Sequence, residues 1–211
     1  MNVAVIAPHP DDESIGCGGV ICQHVTRGDD LFVVYLTSGE LGLKSLPREE
    51  AWKIREEEAR QAAKVLGIGA TFFLRGPDWS AGDEHERLSQ ELSQLLVRHM
   101  PGVIYLPHPT EWHPDHKASL PIVRSALARS RIPDPVLWGY EVWTPLAEFD
   151  RVEDITAEMP QKLRAVRCHQ SQLRDLAYDQ AVDGLNRFRG ITQARCQYAE
   201  VFQSFSPKPS T

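Results

Sequence analysis

The sequence is poor in cysteine, and what it has follows no pattern. Cys17, Cys22, Cys168 and Cys196 are the only four in 211 residues, and no two form a Cys-x-x-Cys pair. A chain of this length buries enough surface to fold without disulfides, so reduced cysteines are expected. Long apolar runs are missing as well, since nothing approaches the roughly 18 apolar residues needed to span a bilayer. The start, MNVAVIAPHPDDE, has no basic region ahead of its short apolar run and does not read as a secretory signal. Together these absences make a cytoplasmic protein the expectation. Positive charge is in deficit: 23 Lys+Arg against 29 Asp+Glu leave a net charge of −6. That balance argues against broad electrostatic attachment to nucleic acid or to an anionic membrane. Repeats and low-complexity tracts are absent, and only Ser206 to Thr211 (SPKPST) has the composition of a frayed end. A single domain over 1–211 is expected, with no structural need for a metal.

Short β-rich runs are present at regular intervals. Asn2 to Ala7, Leu31 to Leu36, Thr71 to Leu74, Val103 to Leu106 and Val136 to Val142 read as strands. Helices are expected between them over Gly18 to Arg27, Arg48 to Leu66 and Glu84 to Met100, and later from Met159 to about Gln172. Gly67 is a stop signal for the second. In the third, Leu88, Leu92, Leu95 and Leu96 recur at helical spacing and form one apolar stripe. This alternation predicts an α/β fold, a Rossmann-like three-layer sandwich with a mostly parallel central sheet. Ligands of such folds sit at the carboxyl ends of the strands. Residues from about 175 onward read as a C-terminal extension, helical in part.

Two of the strands deliver charge to that edge. Directly after the first come His9-Pro10-Asp11-Asp12-Glu13, and after the fourth Pro107-His108-Pro109-Thr110-Glu111-Trp112-His113-Pro114-Asp115-His116. A tight turn can bring His9 and Asp12 onto one ion, although Asp11 or Asp12 could equally cap the next helix. His113 and His116, three apart around a favoured first-turn proline, break that tie. Two histidines and one carboxylate are a common set for a catalytic zinc, so one of His9, Asp12, His113 and His116 is spare.

These segments, with the glycine-rich Gly16-Cys17-Gly18-Gly19, resemble the LmbE-like or PIG-L family of zinc-dependent N-acetylglucosaminyl deacetylases. Thr37-Ser38-Gly39-Glu40-Leu41-Gly42, Arg55 to Ala59 with Leu66-Gly67, His169-Gln170-Ser171-Gln172 and Tyr198 to Phe202 extend the likeness over most of the chain. The resemblance implies that His9, Asp12 and His116 bind Zn2+, with Fe2+ suited to the same ligands, and that Asp11 is the general base. It implies that His113, taken as protonated, stabilises the oxyanion or donates a proton, and that Arg55 contacts substrate. The substrate would be a small amino sugar or its conjugate, with no nucleic-acid or membrane partner, and chains of this kind associate into homo-oligomers. Asp115 is read as orienting His113 or His116 through the second ring nitrogen or, the slightly preferred alternative, as favouring a helix N-terminus. Glu13 is read as supporting or capping, and Asp78 as able to reach the same edge. Tyr140 and Trp143 are either sugar-facing or core, and His108 and His169 are ambiguous. Glu111 and Trp112 depart from the usual pattern and leave the substrate range open.

Two readings from other classes compete. A nucleotide-binding domain is suggested by Gly16-x-Gly18-Gly19, but Ile21 stands where its fingerprint needs glycine, and carboxylates stand where a phosphate would sit. A metal-containing module that binds sugar without cleaving it has no use for Asp11, a carboxylate not needed as ligand.

Overall fold

The computed structural model describes residues 1–208, so residues 209–211 of the expected frayed end lie outside it. The strands are β1 (Asn2–Ala7), β2 (Asp30–Thr37), β3 (Ala70–Gly76), β4 (Val103–Pro107), β5 (Val136–Tyr140), β6 (Arg151–Asp154) and β7 (Ala199–Phe205). They form one sheet in the order β3-β2-β1-β4-β5-β7-β6. Strands β1 to β5 run parallel, and β7 runs antiparallel to both β5 and β6. The helices are α1 (Asp12–Thr26), α2 (Arg48–Leu66), α3 (His85–His99), α4 (Pro114–Ser130), α5 (Met159–Val166), α6 (Gln170–Leu173) and α7 (Tyr178–Arg189).

Strand side chains alternate between two cores, as the period of two requires. Val3, Val5, Leu31, Val33 and Tyr35 pack with α1, α2 and α5, while Ala4, Ile6, Phe32, Val34 and Leu36 pack with α3 and α4. The expected stripe on α3 is the seam of the second core: Leu88, Leu92 and Leu96 are fully buried and Leu95 packs beside them. The result is the anticipated three-layer α/β sandwich. Its strand order reverses between β1 and β4, which is where such sheets open a crevice at their carboxyl edge.

Four parts of the chain differ from the sequence reading. Helix α1 starts at Asp12 rather than Gly18 and breaks at Cys17, whose φ of −141° is not helical. The break lets the glycines approach neighbours closely: a Cβ at Gly16 would collide with the Tyr140 ring, and one at Gly19 would lie 2.5 Å from Ile155. The N–H groups of Gly19 and Val20, freed by the break, donate to the Glu200 carboxylate at 2.8 and 2.9 Å. Glu200 in turn accepts from the buried Lys162 at 2.7 Å. These glycines therefore face protein, and a phosphate has no access to them. The helix starting at Met159 ends at Val166, so that the chain can turn and place Ser171 on Glu58, to which it donates from N–H and Oγ at 2.7 and 2.6 Å. Residues from 175 are no appendage, because they supply α7 and then β7, which is paired on both sides. The unforeseen β6 (RVED) is a short, charged edge strand with no apolar run to reveal it.

No helix is long and apolar enough to cross a membrane among the described residues. Removing one member of a buried ion pair strands the other, so Glu200→Ala should lower the unfolding free energy by about 3–5 kcal/mol in urea titration. A loss below about 1 kcal/mol would mean that Lys162 finds water instead.

Candidate metal centre

The loop after β1 is shaped by its own residues. The Pro8 carbonyl accepts from both the N–H and Oγ of Thr37 at 2.9 Å, which fixes where β1 stops. Asp12 N–H then reaches back to the His9 carbonyl at 3.3 Å, and Asp12 Oδ2 accepts from His9 N–H at 2.8 Å. The tight turn strains Asp11, whose φ of 130° is a conformation that residues with side chains rarely adopt. Such strain persists only where surrounding contacts hold it. Here the Asp11 N–H donates to Glu13 Oε2 at 3.2 Å, and Arg55 Nη2 bonds both the Pro10 carbonyl (2.5 Å) and Asp11 Oδ2 (3.2 Å).

The turn leaves His9 Nδ1 3.2 Å from Asp12 Oδ2. From across the strand-order reversal α4 brings in His116, whose Nε2 is 3.3 Å from each of those atoms. A tetrahedral ion with bonds of about 2.0–2.1 Å separates its ligand atoms by roughly 3.3 Å, so the triangle has the size of one face of such a site. A shared cation satisfies all three atoms at once, whereas one proton bridges only two. The ring nitrogens of His9, His113 and His116 also lie within 4.8 Å of one another, but His113 is no vertex of the triangle. Its Nδ1 accepts the Asp115 N–H at 3.3 Å and caps α4, and its ring stands edge-on to His9 with centroids 4.7 Å apart.

Asp115 does more than favour a helix terminus, and that expectation is corrected. Fully buried, it accepts from His9 Nε2 (3.0 Å) and Trp79 N–H (2.8 Å) at Oδ2, and from Ala81 N–H (2.9 Å) at Oδ1. A His9 that donates from Nε2 presents an unprotonated Nδ1 to the triangle. Asp78 assists, with Oδ1 3.3 Å from His9 Nε2 and Oδ2 accepting from Leu41 N–H at 2.8 Å. His9, Asp78, His113 and Asp115 thus form a second cluster with ligating spacing. Three donors already occupy the Asp115 oxygens, so this cluster supports His9 rather than a further ion.

The charge balance asks for a cation. Asp11, Asp12, Glu13, Asp78 and Asp115 are all buried here, and the buried Arg55 guanidinium bonds Asp11. Burial alone would lower the His9 imidazole, yet the carboxylates of Asp115, Asp12 and Asp78 hold it well above its ordinary value. Burial alone would raise Asp12, yet His116 and His9 hold it well below the usual carboxylate range. Asp11 is different: burial, opposed by Arg55, pushes its carboxyl up to about 6. His113 goes the other way, pushed down to about 4 by burial and by the imidazoles of His9 and His116. The helix cap and this shift agree on a neutral His113 with its proton on Nε2, not on the protonated ring expected from sequence.

A cavity of about 460 Å³ opens above these groups, with His9, Asp11, Asp78, Arg55 and His113 in its wall beside Trp79, Trp112, Trp143, Leu176 and Tyr178. Arg55 pairs with neither Glu56 nor Glu58. Glu56 accepts from Ser38, Arg60 and Arg75, and Glu58 from Ser171. The close approach of Arg55 depends on Gly42, where a Cβ would lie 2.5 Å from Nη1. Tyr140 is core, fully buried and donating to the Ile6 carbonyl at 2.9 Å, while Trp143 is cavity wall. Glu111 is buried and ties two loops together by accepting the N–H groups of Val142, Trp143 and Thr144 at 2.8, 2.9 and 3.1 Å. His169 lies behind the strained loop, its Nε2 3.7 Å from Glu13 Oε1. Trp79, Leu176 and Tyr178 were missed. Trp79 follows Asp78 at the carboxyl edge and was findable, whereas nothing local marks Leu176 or Tyr178.

Because Asp115 sets the orientation and tautomer of His9, Asp115→Asn should weaken metal binding by about 10–100-fold in competition with a chelator. An unchanged affinity would show that His9 needs no such support.

A family model described as "PIG-L: GlcNAc-PI de-N-acetylase" matches residues 4–127. Diacetylchitobiose deacetylase of Thermococcus kodakarensis is 31% identical over 189 residues, covering 81% of this chain and 70% of the relative. A probable N-acetyl-alpha-D-glucosaminyl L-malate deacetylase 2 of Bacillus anthracis is 30% identical over 189 residues, covering 81% of each. The crystal structure of N,N'-diacetylchitobiose deacetylase from Pyrococcus horikoshii superposes with a TM-score of 0.85 at 25% identity, over 100% of this chain and 87% of that one. The likeness spans the two strand-end clusters and the sheet that brings them together, and the chain belongs to the PIG-L family.

Proposed function

We propose that the protein is a metal-dependent hydrolase that removes the N-acetyl group from an N-acetylglucosamine-type amino sugar or its conjugate. One juxtaposition carries the reading: a donor triangle of ion-binding size lies next to Asp11, a buried carboxylate that is no part of it. The relatives' named activities point to the same reaction.

His9, Asp12 and His116 would hold the ion. Zinc suits two imidazoles and a carboxylate, and ferrous iron suits them as well. When bound, such an ion polarises an amide carbonyl and lowers the pKa of water toward about 7. The remaining steps fall to side chains of the chain itself. Asp11 takes a proton from the attacking water, and a carboxyl near 6 is ionised at neutral pH yet acidic enough to return that proton to the amine nitrogen as the C–N bond breaks. The carbonyl oxygen gains negative charge as its carbon becomes tetrahedral, and His113 donates to it from Nε2–H as a neutral imidazole. Arg55 holds Asp11 in its strained turn. It also lines the cavity, which supports a substrate contact.

Purified protein should carry about one metal ion per chain and release acetate from N-acetylglucosamine conjugates. Chelation should abolish the release and zinc restore it. Asp11→Asn should lower kcat by about 10²–10⁴ while metal content stays unchanged. His113→Ala should cost about 10²–10³ in kcat, with little effect on KM. Undiminished acetate release from metal-stripped wild type would falsify the proposal.

A further inference from the structure

The donor triangle, Asp11 and His113 account for one end of the cavity and leave its aromatic wall unexplained. Trp79 and Trp112 are 50% and 54% exposed, with ring centroids 6.0 Å apart. Both pack on His113, at 4.5 and 5.4 Å. Two indoles standing side by side and half in water are a marked apolar surface, and this one is continuous with the reacting groups.

The pair is held in place on both sides. Trp79 adopts a left-handed backbone, φ 72°, which its side chain does not favour, and its N–H is fixed by Asp115. The same carboxylate that orients His9 therefore anchors the Trp79 backbone. Trp112 N–H donates to Thr144 Oγ1 at 3.2 Å, in the loop that Glu111 gathers. Strain and buried carboxylates spent on aiming two exposed rings point to a ligand for those rings.

The chemistry of that ligand follows from charge and shape. Lys44 and Arg55 are the cationic side chains in the cavity wall, and Arg55 already serves Asp11 and two carbonyls. The remaining cation, Lys44, is offset by the Asp11 and Asp78 carboxylates in the same wall, so an acidic group would gain little net attraction. A neutral ring would find flat apolar faces, on which the C–H face of a pyranose packs well. We propose, resting on the deacetylase reading, that Trp79 and Trp112 bind a neutral, ring-shaped aglycone. On this proposal the preferred substrate carries a second pyranose next to its N-acetylglucosamine unit, not an anionic group such as malate.

Binding and turnover test the two claims separately. Metal-loaded Asp11→Asn protein is titrated calorimetrically with N-acetylglucosamine, with N,N'-diacetylchitobiose and with the malate glycoside of N-acetylglucosamine. The disaccharide should bind about tenfold more tightly than the monosaccharide, and the malate glycoside no more tightly than the monosaccharide. Adding Trp112→Ala should narrow the disaccharide-to-monosaccharide ratio to within about twofold, and Trp112→Phe should retain part of it. Trp79→Asn, which keeps a residue tolerant of the left-handed backbone, should narrow it as well. A disaccharide that binds no better than the monosaccharide, an advantage that survives both tryptophan variants, or a preference for malate would overturn the inference. Acetate release by wild type separates the rest. Release without a binding advantage leaves the deacetylase reading standing and removes the aromatic subsite. A tryptophan-dependent advantage without release from any substrate supports ring recognition and removes the deacetylase reading.

Discussion

The buried carboxylates of Asp11, Asp12, Glu13, Asp78 and Asp115 at one sheet edge are the constraint on which the site depends. Removing carboxylates from water is expensive, and each must be compensated by donors or by positive charge. Backbone N–H groups take up much of the demand: Trp79 and Ala81 bond to Asp115, Leu41 to Asp78, Asp11 to Glu13 and His9 to Asp12. Arg55 answers Asp11. What is left falls on the triangle of His9 Nδ1, Asp12 Oδ2 and His116 Nε2, three atoms able to ligate that lie 3.2 to 3.3 Å from one another. A divalent ion resolves that concentration of charge.

The same hydrogen bonds that make the charge tolerable also aim the site. Asp115 joins the helix that carries His116 to a ligand on the first loop and to the backbone of Trp79 on the third. Glu111 does the corresponding work between the fourth and fifth strand ends, gathering the loop that contains Trp143. The donor triangle, His113 and the aromatic wall are therefore one connected assembly, so that the geometry of the triangle and that of the cavity wall are set together. Behind it, Glu200 and Lys162 hold the broken α1 whose first turn carries Asp12, which explains how a residue near the C-terminus bears on the first loop.

Much of this was legible in the sequence because strand ends in a parallel sheet converge. His9 to Glu13 and His113 to His116 could be placed on one edge from periodicity alone, and the family resemblance then divided their roles. Through-space partners were not legible. Nothing local tells Asp115 to turn toward His9 instead of its own helix, or Tyr140 to face Ile6 while Trp143 faces the cavity. The neutral state of His113 depends on burial beside two other imidazoles, which spacing does not report. Strands β6 and β7 escaped for another reason: β6 is a short, charged edge strand, and β7 pairs only with segments distant in sequence. The glycine-rich turn was legible as a feature but not in purpose, since its neighbours Tyr140, Ile155 and Lys162 lie far along the chain.

The most direct measurement is the anomalous-scattering position of the ion in crystals of the metal-loaded protein. It should lie about 2.0–2.2 Å from His9 Nδ1, Asp12 Oδ2 and His116 Nε2, with Asp11 uncoordinated. An ion bound instead between His9 Nε2, Asp78 and Asp115, or one that takes Asp11 as a ligand, would contradict the division between the atoms that hold the metal and the carboxylate that moves the proton.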